Sequence, residues 1–511
     1  MTRFIILCFY VLLLFFSKCS ALYKVKCYEQ YNGKDPSGIM LDCANIRNHH
    51  PNDIEMRVRY HAHFSTGGLK SYQIVEIDMT NNNLEHIFKL PLMDSLKKLS
   101  FKYNNISSIN HQAFSDLPAL EELDLSFNSL TSEQLKSTIF RKVTTSNTDE
   151  QNPLALKVLK LGHNNIHSLQ PNCFENFINL ETLELNNNPF LFIDQNTEIS
   201  LNLLHNLKTL HLANVGLSKF PEDSFTQTNI EVLYLNGNDF TTVPKGIVAM
   251  PLAFLNLNAN PISDLNSGSF IGLDKLQQLI ISSMPFLTNI ESGTFAPLPK
   301  LITLQMSYNP KLNFIHYDAF RNASMKHKWS LRQLFLNNNA LSYIDSKLCP
   351  WPKLDTFDAK SNPWICDCNL SWMANYINKT FKEVPENFLY YRCNEPENLI
   401  GILVSQLNEH INCSAMFTVT VDHSHEPVTR LRQFIIVVGL VIGIFVFGTL
   451  INMSCRKFKK ILKPRINSPV GFSSGVKYRP ADFEENSDFN EDIFTRKMPS
   501  KIYGRPIVIN K

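Results

Sequence analysis

The chain has 511 residues, 44% of them hydrophobic and 19% charged, which is enough for several domains and a sizeable core. Its net charge of +3 is unevenly divided, because residues 454–511 hold 13 Lys or Arg against 6 Asp or Glu, whereas residues 22–453 hold 34 against 40. The acidic balance of the main body argues against nucleic-acid binding there.

The first apolar segment is a run of thirteen residues, from Phe4 to Phe16, preceded by Arg3 and followed by the small residues Ser20 and Ala21. A basic start, a short apolar run and small residues after it are typical of a cleaved signal peptide. The run is too short to span a bilayer. Residues 1–21 are therefore predicted to be a signal peptide, which places the following residues in an oxidising, extracytoplasmic compartment.

Residues 22–73 form a region without a repeat and are predicted to be an N-terminal cap. They contain two cysteines, Cys27 and Cys43, and a pair of histidines, His61 and His63. The histidines resemble half of a metal site, but no carboxylate or cysteine partner accompanies them, so a solvent-exposed pair is the preferred interpretation. No metal and no cofactor are predicted.

The pattern L-x-x-L-x-L-x-x-N-x-L recurs twelve times over residues 74–364, mostly at intervals of 22 to 27 residues. The copies begin at Ile74, Leu96, Leu120, Leu156, Leu180, Leu207, Ile230, Leu252, Leu276, Leu301, Leu331 and Leu354. The L-x-L centre predicts a short strand whose leucines point into a core that neighbouring repeats cover. The sequence therefore predicts an α/β solenoid, a leucine-rich-repeat horseshoe with a parallel, concave β-sheet.

Ten of the twelve copies keep the asparagine, whose side-chain amide is expected to donate hydrogen bonds to backbone carbonyls of the turning chain. The two exceptions are Val215 and Met284, where the turn needs another solution. Two intervals are longer than the rest, with surplus residues at 141–152 and 321–328. Both surpluses are predicted to be surface loops, either tolerated or in contact with a partner.

After the last repeat come residues 365–413, which contain Cys366, Cys368, Cys393 and Cys413. The spacing alone allows three disulfide connectivities. A zinc site is the competing interpretation of four cysteines, but an oxidising compartment favours disulfides. N-x-Ser/Thr sequons, each a plausible glycosylation site, occur at Asn105, Asn322, Asn369, Asn378 and Asn412.

The run N-P-W-x-C-D-C-x-L-x-W at residues 362–372 and the spacing of the four cysteines resemble the cysteine-rich C-terminal cap of extracellular leucine-rich-repeat proteins. The resemblance covers residues 22–413 and is strongest to single-pass type I receptors and adhesion molecules. It implies the disulfide pairs Cys366–Cys393 and Cys368–Cys413. It also implies a smaller N-terminal cap with a single disulfide, Cys27–Cys43.

Two further cysteines, Cys173 and Cys349, lie about seven repeats apart. At the ~4.8 Å spacing of neighbouring strands this is roughly 34 Å, too far for a bridge. Cys173 takes the place that Ala113 holds in an earlier repeat, which favours a small buried side chain. An intermolecular disulfide is the alternative.

Residues 434–453 form an uncharged, apolar run that matches the ~20 residues of a membrane-spanning helix. Basic residues follow at once, so residues 454–511 are expected in the cytoplasm as a disordered tail, with residues 414–433 as an extracellular stalk. The prediction is a type I protein of the plasma membrane. Gly439 and Gly443 form a G-x-x-x-G motif that suggests a homodimer, and Cys455 is a candidate for palmitoylation.

A concave sheet of twelve strands is large enough for a standard protein interface of about 800 Å² per partner. The variable positions of the strands place apolar side chains on it, as a binding surface requires. The candidate ligand-binding residues are Tyr234, Phe254, Ile280, Tyr308 and Phe335. The alternative interpretation is that these side chains only pack against one another and contact no ligand.

No catalytic motif is found, so an enzyme is not predicted. The main hypothesis is a receptor or adhesion molecule that recognises an extracellular or cell-surface protein. The alternative is a co-receptor that assembles with a signalling receptor in the same membrane.

Overall fold

The computed structural model divides the chain into two units, Met1–Val419 and Thr420–Lys511, and all described residues belong to the first. The described residues are 27–31, 38–45, 73–140, 154–222, 224–321, 330–381 and 385–413. Within these ranges no helix is both long and apolar enough to cross a bilayer. The predicted span at 434–453, together with Gly439, Gly443 and Cys455, lies outside them, as do His61, His63 and Asn322.

The main element is a fourteen-stranded sheet, in which neighbouring strands follow the order of the chain. Strands are numbered in chain order over the described residues. The main sheet contains β1 (Tyr28–Tyr31), β2 (Gly38–Asp42), β3 (Gln73–Asp78), β5 (Lys98–Ser100), β7 (Glu122–Asp124), β8 (Val158–Lys160), β9 (Thr182–Glu184), β10 (Thr209–His211), β11 (Val232–Tyr234), β12 (Phe254–Asn256), β14 (Gln278–Ile280), β16 (Thr303–Gln305), β18 (Gln333–Phe335) and β19 (Thr356–Asp358). Only the β1–β2 pair is antiparallel; the strands from β2 to β19 pair in parallel.

The remaining described elements are short. Three small sheets contain β4 (His86–Ile87) with β6 (Ser108–Ile109), β13 (Asp264–Leu265) with β15 (Asn289–Ile290) and β17 (Phe314–Ile315), and β20 (Trp364–Ile365) with β21 (Cys393–Glu395). The α-helices are α1 (Gln195–Asn202), α2 (Ser371–Thr380) and α3 (Leu407–His410). The 3-10 helices are Ser132–Gln134, Ser137–Ile139, Lys245–Ala249, Trp351–Lys353, Glu386–Tyr390, Glu397–Leu399 and Val404–Gln406.

Each of the twelve predicted repeats contributes one strand to the main sheet, which makes the fold a parallel-strand solenoid as predicted. The middle residue of each short strand is buried and its two neighbours are more exposed, as in β9, where Leu183 is fully buried between Thr182 and Glu184. The buried leucines of successive repeats form one continuous core. Phenylalanines from the connecting segments add a second layer, in which Phe295 packs against both Phe270 and Phe320.

The repeat asparagines form a ladder of hydrogen bonds along the solenoid, which confirms the predicted role of their amides. Asn104 is an example: its Nδ2 donates to the carbonyl oxygens of Met79 at 3.0 Å and Phe101 at 2.9 Å. Its Oδ1 accepts from the backbone N–H of Leu84 at 3.1 Å. The side chain therefore joins its own repeat to the preceding one.

The ladder is interrupted at Val215, and the neighbouring asparagine partly takes over. Oδ1 of Asn238 accepts from the backbone N–H groups of both Val215 and Leu217, at 3.1 and 3.0 Å. In the preceding repeat the N–H of Phe190 donates to the carbonyl of Asn188 at 3.0 Å. With these hydrogen bonds the backbone N–H groups around position 215 have acceptors, although the repeat asparagine is missing there.

Disulfides close both ends of the described solenoid. Cys27 is joined to Cys43, and in the C-terminal cap Cys366 is joined to Cys393 and Cys368 to Cys413, the pairing that the resemblance implies. In the cap, Trp372 packs on Trp351 with ring centroids 4.6 Å apart, and Trp364 is fully buried. The core residue of the last strand, Phe357, has no further repeat to pack against and instead contacts Trp351 and Tyr391, with ring centroids 5.0 and 6.3 Å away.

Cys173 and Cys349 are both free thiols, and both are buried. Burial raises the pKa of Cys173 to about 12 and also raises the pKa of Cys349. The two surplus segments fall mostly outside the described residues, since 141–153 and 322–329 are not described.

Candidate functional site

The face of the main sheet opposite the leucine core, hereafter the open face, corresponds to the predicted concave surface. The strands pair in register, so equivalent residues of successive repeats form rows across it. The first row, read from β3 to β19, is Glu76, Lys98, Glu122, Val158, Thr182, Thr209, Val232, Phe254, Gln278, Thr303, Gln333 and Thr356. The third row is Asp78, Ser100, Asp124, Lys160, Glu184, His211, Tyr234, Asn256, Ile280, Gln305, Phe335 and Asp358.

The two rows divide the open face into a charged half and a neutral half. Seven of the ten row residues from β3 to β9 are carboxylates or lysines. From β10 to β18 the two rows contain no Asp, Glu, Lys or Arg. A ligand that lies along the face would therefore meet two chemically different surfaces.

The centre of the neutral half is an aromatic strip of three side chains, His211, Tyr234 and Phe254, on adjacent strands. The His211 and Tyr234 rings are stacked with centroids 4.0 Å apart, and the Tyr234 and Phe254 centroids are 4.9 Å apart. Burial lowers the pKa of His211 to about 4. Burial, and then the charge of Glu184, raises the pKa of Tyr234. The strip is therefore uncharged at neutral pH.

The structure brings together only some of the predicted ligand-binding residues. Tyr234 and Phe254 are in ring contact, and Ile280 lies on the next strand, β14. Phe335 lies two strands further, with Gln305 between it and Ile280 in the third row. Tyr308 is not in either row, because it lies in the turn after β16 with φ of 59° and is 57% exposed.

His211 was not among the predicted residues, although it holds the same place in its repeat as Tyr234. The prediction includes only large apolar side chains, and histidine is polar in most settings. The ring stack with Tyr234 and the lowered pKa show that it forms part of the same surface. Its position in the L-x-L centre is the sequence signal that identifies it.

The charged half contains a lysine–glutamate–lysine network. Glu122 accepts from Lys160 Nζ at 2.6 Å and lies 3.6 Å from Lys98 Nζ. Burial alone would raise the pKa of Glu122, but the two lysines outweigh it and the pKa is lowered. The pKa of Lys160 is raised: burial alone would lower it, but the neighbouring carboxylates have the larger effect. Both lysines of this network are already paired.

One edge of the open face is formed by the turn residues that precede each ladder position, all with positive φ. They are Asn81, Tyr103, Phe127, His163, Asn187, Asn214, Gly237, Ala259, Ser283, Tyr308, Asn338 and Ser361. Beside the charged half they form an aromatic edge of Tyr103, Phe127 and His163. Phe127 lies 4.2 Å from the Tyr103 centroid and 3.7 Å from that of His163. Burial, and then the charge of Lys102, lowers the pKa of His163.

A pocket of about 270 Å³ opens between the charged rows and the aromatic edge. Two of its lining residues, Ser126 and Gly162, are small, whereas Lys102 and Asn186 occupy the equivalent positions on either side. Its other lining residues include Asp124, Phe127, Lys160, His163 and Glu184. Across the described ranges, no three His, Cys, Asp or Glu side chains are placed to hold a metal ion.

The four predicted glycosylation sites among the described residues belong to neither row of the open face. Asn105 follows the ladder asparagine of its repeat in an exposed turn. Asn369, Asn378 and Asn412 are exposed in the C-terminal cap. Neither row therefore contains a predicted attachment site.

Family models match most of the repeat region. The model described as "Leucine rich repeat" matches residues 73–130, and that described as "BspA type Leucine rich repeat region" matches residues 151–248 and 250–358. Together they extend over the strands from β3 to β19.

Individual relatives match at 25–29% identity. Chicken (Gallus gallus) Tsukushi is 26% identical over 307 residues, which cover 58% of this chain and 76% of the relative. Rat (Rattus norvegicus) leucine-rich repeat transmembrane protein FLRT2 is 25% identical over 243 residues, 40% of this chain and 34% of the relative. Among solved structures, the mouse RP105/MD-1 complex matches at 22% identity with a TM-score of 0.45, covering 67% of this chain and 51% of that one.

The share of each relative that is matched varies widely. It is 66% for mouse Tsukushi and 18% for fruit-fly (Drosophila melanogaster) chaoptin. The chain thus spans less than two thirds of the length of several curated relatives that it matches.

Proposed function

Because the chain belongs to the leucine-rich-repeat family of extracellular proteins with a cysteine-rich cap, we propose that it is a cell-surface receptor or adhesion molecule that recognises a protein ligand through its open face. The chain is not an enzyme, since its relatives are non-enzymatic leucine-rich-repeat proteins. The proposed occupant of the face is an extracellular or cell-surface protein.

The observation that carries the proposal is the aromatic strip. Aromatic side chains are enriched at the energetic centres of protein interfaces, because they bury a large area and lose little conformational freedom. Tyr234 is only half-buried and keeps a hydroxyl group to pair with a partner. Flanking polar residues such as Asn256 and Gln278 would form a rim around this centre.

The absence of predicted glycans from the two rows supports the same surface. A bulky glycan on a strand would exclude a protein partner from the sheet. The sequons at Asn105, Asn369, Asn378 and Asn412 instead lie in a turn and in the cap. No predicted glycan attachment site therefore lies in either row of the open face.

The proposed arrangement in the membrane follows from the sequence. Residues 22–73 would form the N-terminal cap, 74–364 the repeats, 365–413 the C-terminal cap and 414–433 the stalk. The uncharged run at 434–453 would span the membrane and residues 454–511 would lie in the cytoplasm. The relative FLRT2 is itself named a transmembrane protein.

The proposal is tested by expressing the full chain with an epitope tag in mammalian cells and screening those cells with a library of soluble, Fc-fused extracellular proteins. Surface staining with the tag antibody first establishes whether the chain reaches the plasma membrane. Wild type is compared with a triple variant, Tyr234→Ala, Phe254→Ala and Ile280→Ala. Tyr343→Ala is the matched control, because Tyr343 is partly exposed and outside both rows.

A partner that binds wild type and Tyr343→Ala but not the triple variant, at equal surface staining, would support recognition by the open face. A partner bound equally by all three would place the site elsewhere. Co-purification with a second membrane protein and no soluble partner would favour the alternative, a co-receptor that assembles in the same membrane.

A further inference from the structure

The pocket in the charged half contains a carboxylate whose charge is poorly compensated. Glu184 is half-buried in the third row, between Lys160 and His211. Burial, followed by the charges of Asp124 and Glu122, raises its pKa against the opposing effect of Lys160 and Lys102. Within the described part of the chain, no side-chain hydrogen bond or ion pair of Glu184 is found.

The basic side chains around this carboxylate are committed elsewhere. Lys160 donates to Glu122 at 2.6 Å. Lys102 lies over the aromatic edge, with Nζ 5.0 Å from the Tyr103 centroid and 5.3 Å from the Phe127 centroid. A half-buried carboxylate without a donor is costly, so a ligand that supplies positively charged donors would relieve that cost.

The pocket has the size and walls for one long side chain. Its volume of about 270 Å³ lies below the roughly 300–1,000 Å³ typical of small-molecule sites. Phe127 and His163 supply an aromatic wall on one side, against which a methylene stem can pack while its charged end reaches a carboxylate. His163 has a lowered pKa, so this wall carries no charge of its own at neutral pH.

We infer that the pocket receives an arginine side chain of the protein ligand, with the guanidinium donating to Glu184 and the stem packed against Phe127 and His163. The planar guanidinium matches a carboxylate with two parallel donors and is more weakly hydrated than an ammonium, which favours arginine over lysine. Asp124 lines the same pocket and, although its Oδ1 already accepts from Ser126, it joins Glu184 in balancing the charges of Lys102 and Lys160 in the lining. This inference rests on the proposed function, because it places the charged half in contact with the ligand that covers the aromatic strip.

The inference is tested with a single-residue probe, N-acetyl-L-arginine N-methylamide, by saturation-transfer-difference NMR on the full chain purified from the expressing cells. The matched probe is the citrulline derivative, which has nearly the same shape and no charge. The lysine and glutamate derivatives report on a primary ammonium and on an anion. We expect saturable binding of the arginine probe that is at least about tenfold tighter than that of the other three.

Three variants locate the binding. Glu184→Gln should weaken arginine binding by at least about tenfold, because it removes the charge and keeps the shape. Lys102→Gln should strengthen it, because it removes one of the two lysine charges that line the pocket. Glu181→Gln is the control: Glu181 precedes the same strand but is paired with Lys208 outside the pocket.

A fourth variant, Gly162→Ala, keeps every charge and alters the pocket wall. A Cβ at Gly162 would lie 2.7 Å from Oδ1 of Asn186, so that side chain would have to shift and binding should weaken. Circular dichroism establishes that each variant is folded. If either Glu184→Gln or Gly162→Ala fails to fold, the other variant still tests the inference.

Equal binding of the arginine and citrulline probes, or of wild type and Glu184→Gln, would overturn the inference. Absence of arginine binding, or tighter binding of the glutamate probe, would overturn it as well. The probe needs no protein ligand, so these outcomes leave the aromatic-strip experiment unaffected.

Discussion

Replacement of Asn188 by alanine should destabilise the solenoid more than the same change at Asn164, although both side chains are buried ladder asparagines. Nδ2 of Asn164 donates to the carbonyls of Leu125 and Leu161, and each of these also accepts from a neighbouring asparagine. Asn164→Ala therefore leaves a single buried group without a partner, the backbone N–H of Leu130.

Asn188 stands beside the interruption of the ladder. Its Nδ2 donates to the Leu185 carbonyl at 2.9 Å, and since Val215 replaces the next asparagine, no second amide reaches that oxygen. Asn188→Ala therefore leaves two groups unpaired, the Leu185 carbonyl and the backbone N–H of Ile166. At about 1–3 kcal/mol for each unsatisfied group, the loss should be roughly 2–6 kcal/mol, against roughly 1–3 kcal/mol for Asn164→Ala.

The free energy of unfolding of both variants is measured by guanidinium denaturation followed by circular dichroism. Asn229→Ala serves as a control, because its amide donates to the exposed His205 carbonyl, which water can solvate after the change. A loss for Asn188→Ala equal to or below that for Asn164→Ala would refute the idea that the interruption at Val215 leaves the Leu185 carbonyl dependent on Asn188 alone.

Three further predictions concern titration, thiols and the cap. His211→Gln should reduce the acid sensitivity of folding: burial lowers the pKa of His211 from 6.5 to about 4, so the unfolded chain binds more protons between these values. Stability is lost as pH falls through that window, by up to roughly 3 kcal/mol, which denaturation at pH 7 and pH 4.5 would detect. Cys173 and Cys349 should react with iodoacetamide only after denaturation, as peptide mass spectrometry can show, because both are buried and their pKa values are raised. Replacing Cys366 and Cys393 by serine should lower the free energy of unfolding by about 2–5 kcal/mol in the same denaturation assay, because the disulfide no longer restricts the conformations of the unfolded chain.

The repeat architecture could be predicted because it depends on residues close in sequence. The leucines of an L-x-L centre must both face the core when the strand alternates, and the asparagine must follow at a fixed distance to reach the turn carbonyls. Leu183, Leu185 and Asn188 satisfy these conditions, and the structure places all three in the core. Each copy of the pattern repeats the same local requirement, so twelve strands could be expected before the fold was known.

The side-chain contacts on the open face were harder to predict from the sequence than the repeats. Phe127 and His163 are 36 residues apart but stack at 3.7 Å, because the surplus segment between their repeats does not change the register of β7 and β8. The pocket beside them exists because Gly162 lacks a side chain where Asn186 has one. Neither relation follows from apolar character alone. Aligning the repeats by their asparagines, and then reading each position across them, would have revealed both.

The open face also has a composition that covering the core does not require. The leucines beneath it would be shielded as well by threonine or valine, which occupy the first row at β8 to β11. Instead, burial raises the pKa of Glu184 and lowers the pKa of His211, so both side chains lose stabilisation of their charged forms on folding. At neutral pH this lowers the stability of the folded chain at Glu184, which is ionised in the unfolded chain, whereas His211 is then largely uncharged in both states. A ligand that donates to Glu184 would recover this free energy, and its binding would be measured as an increase in stability.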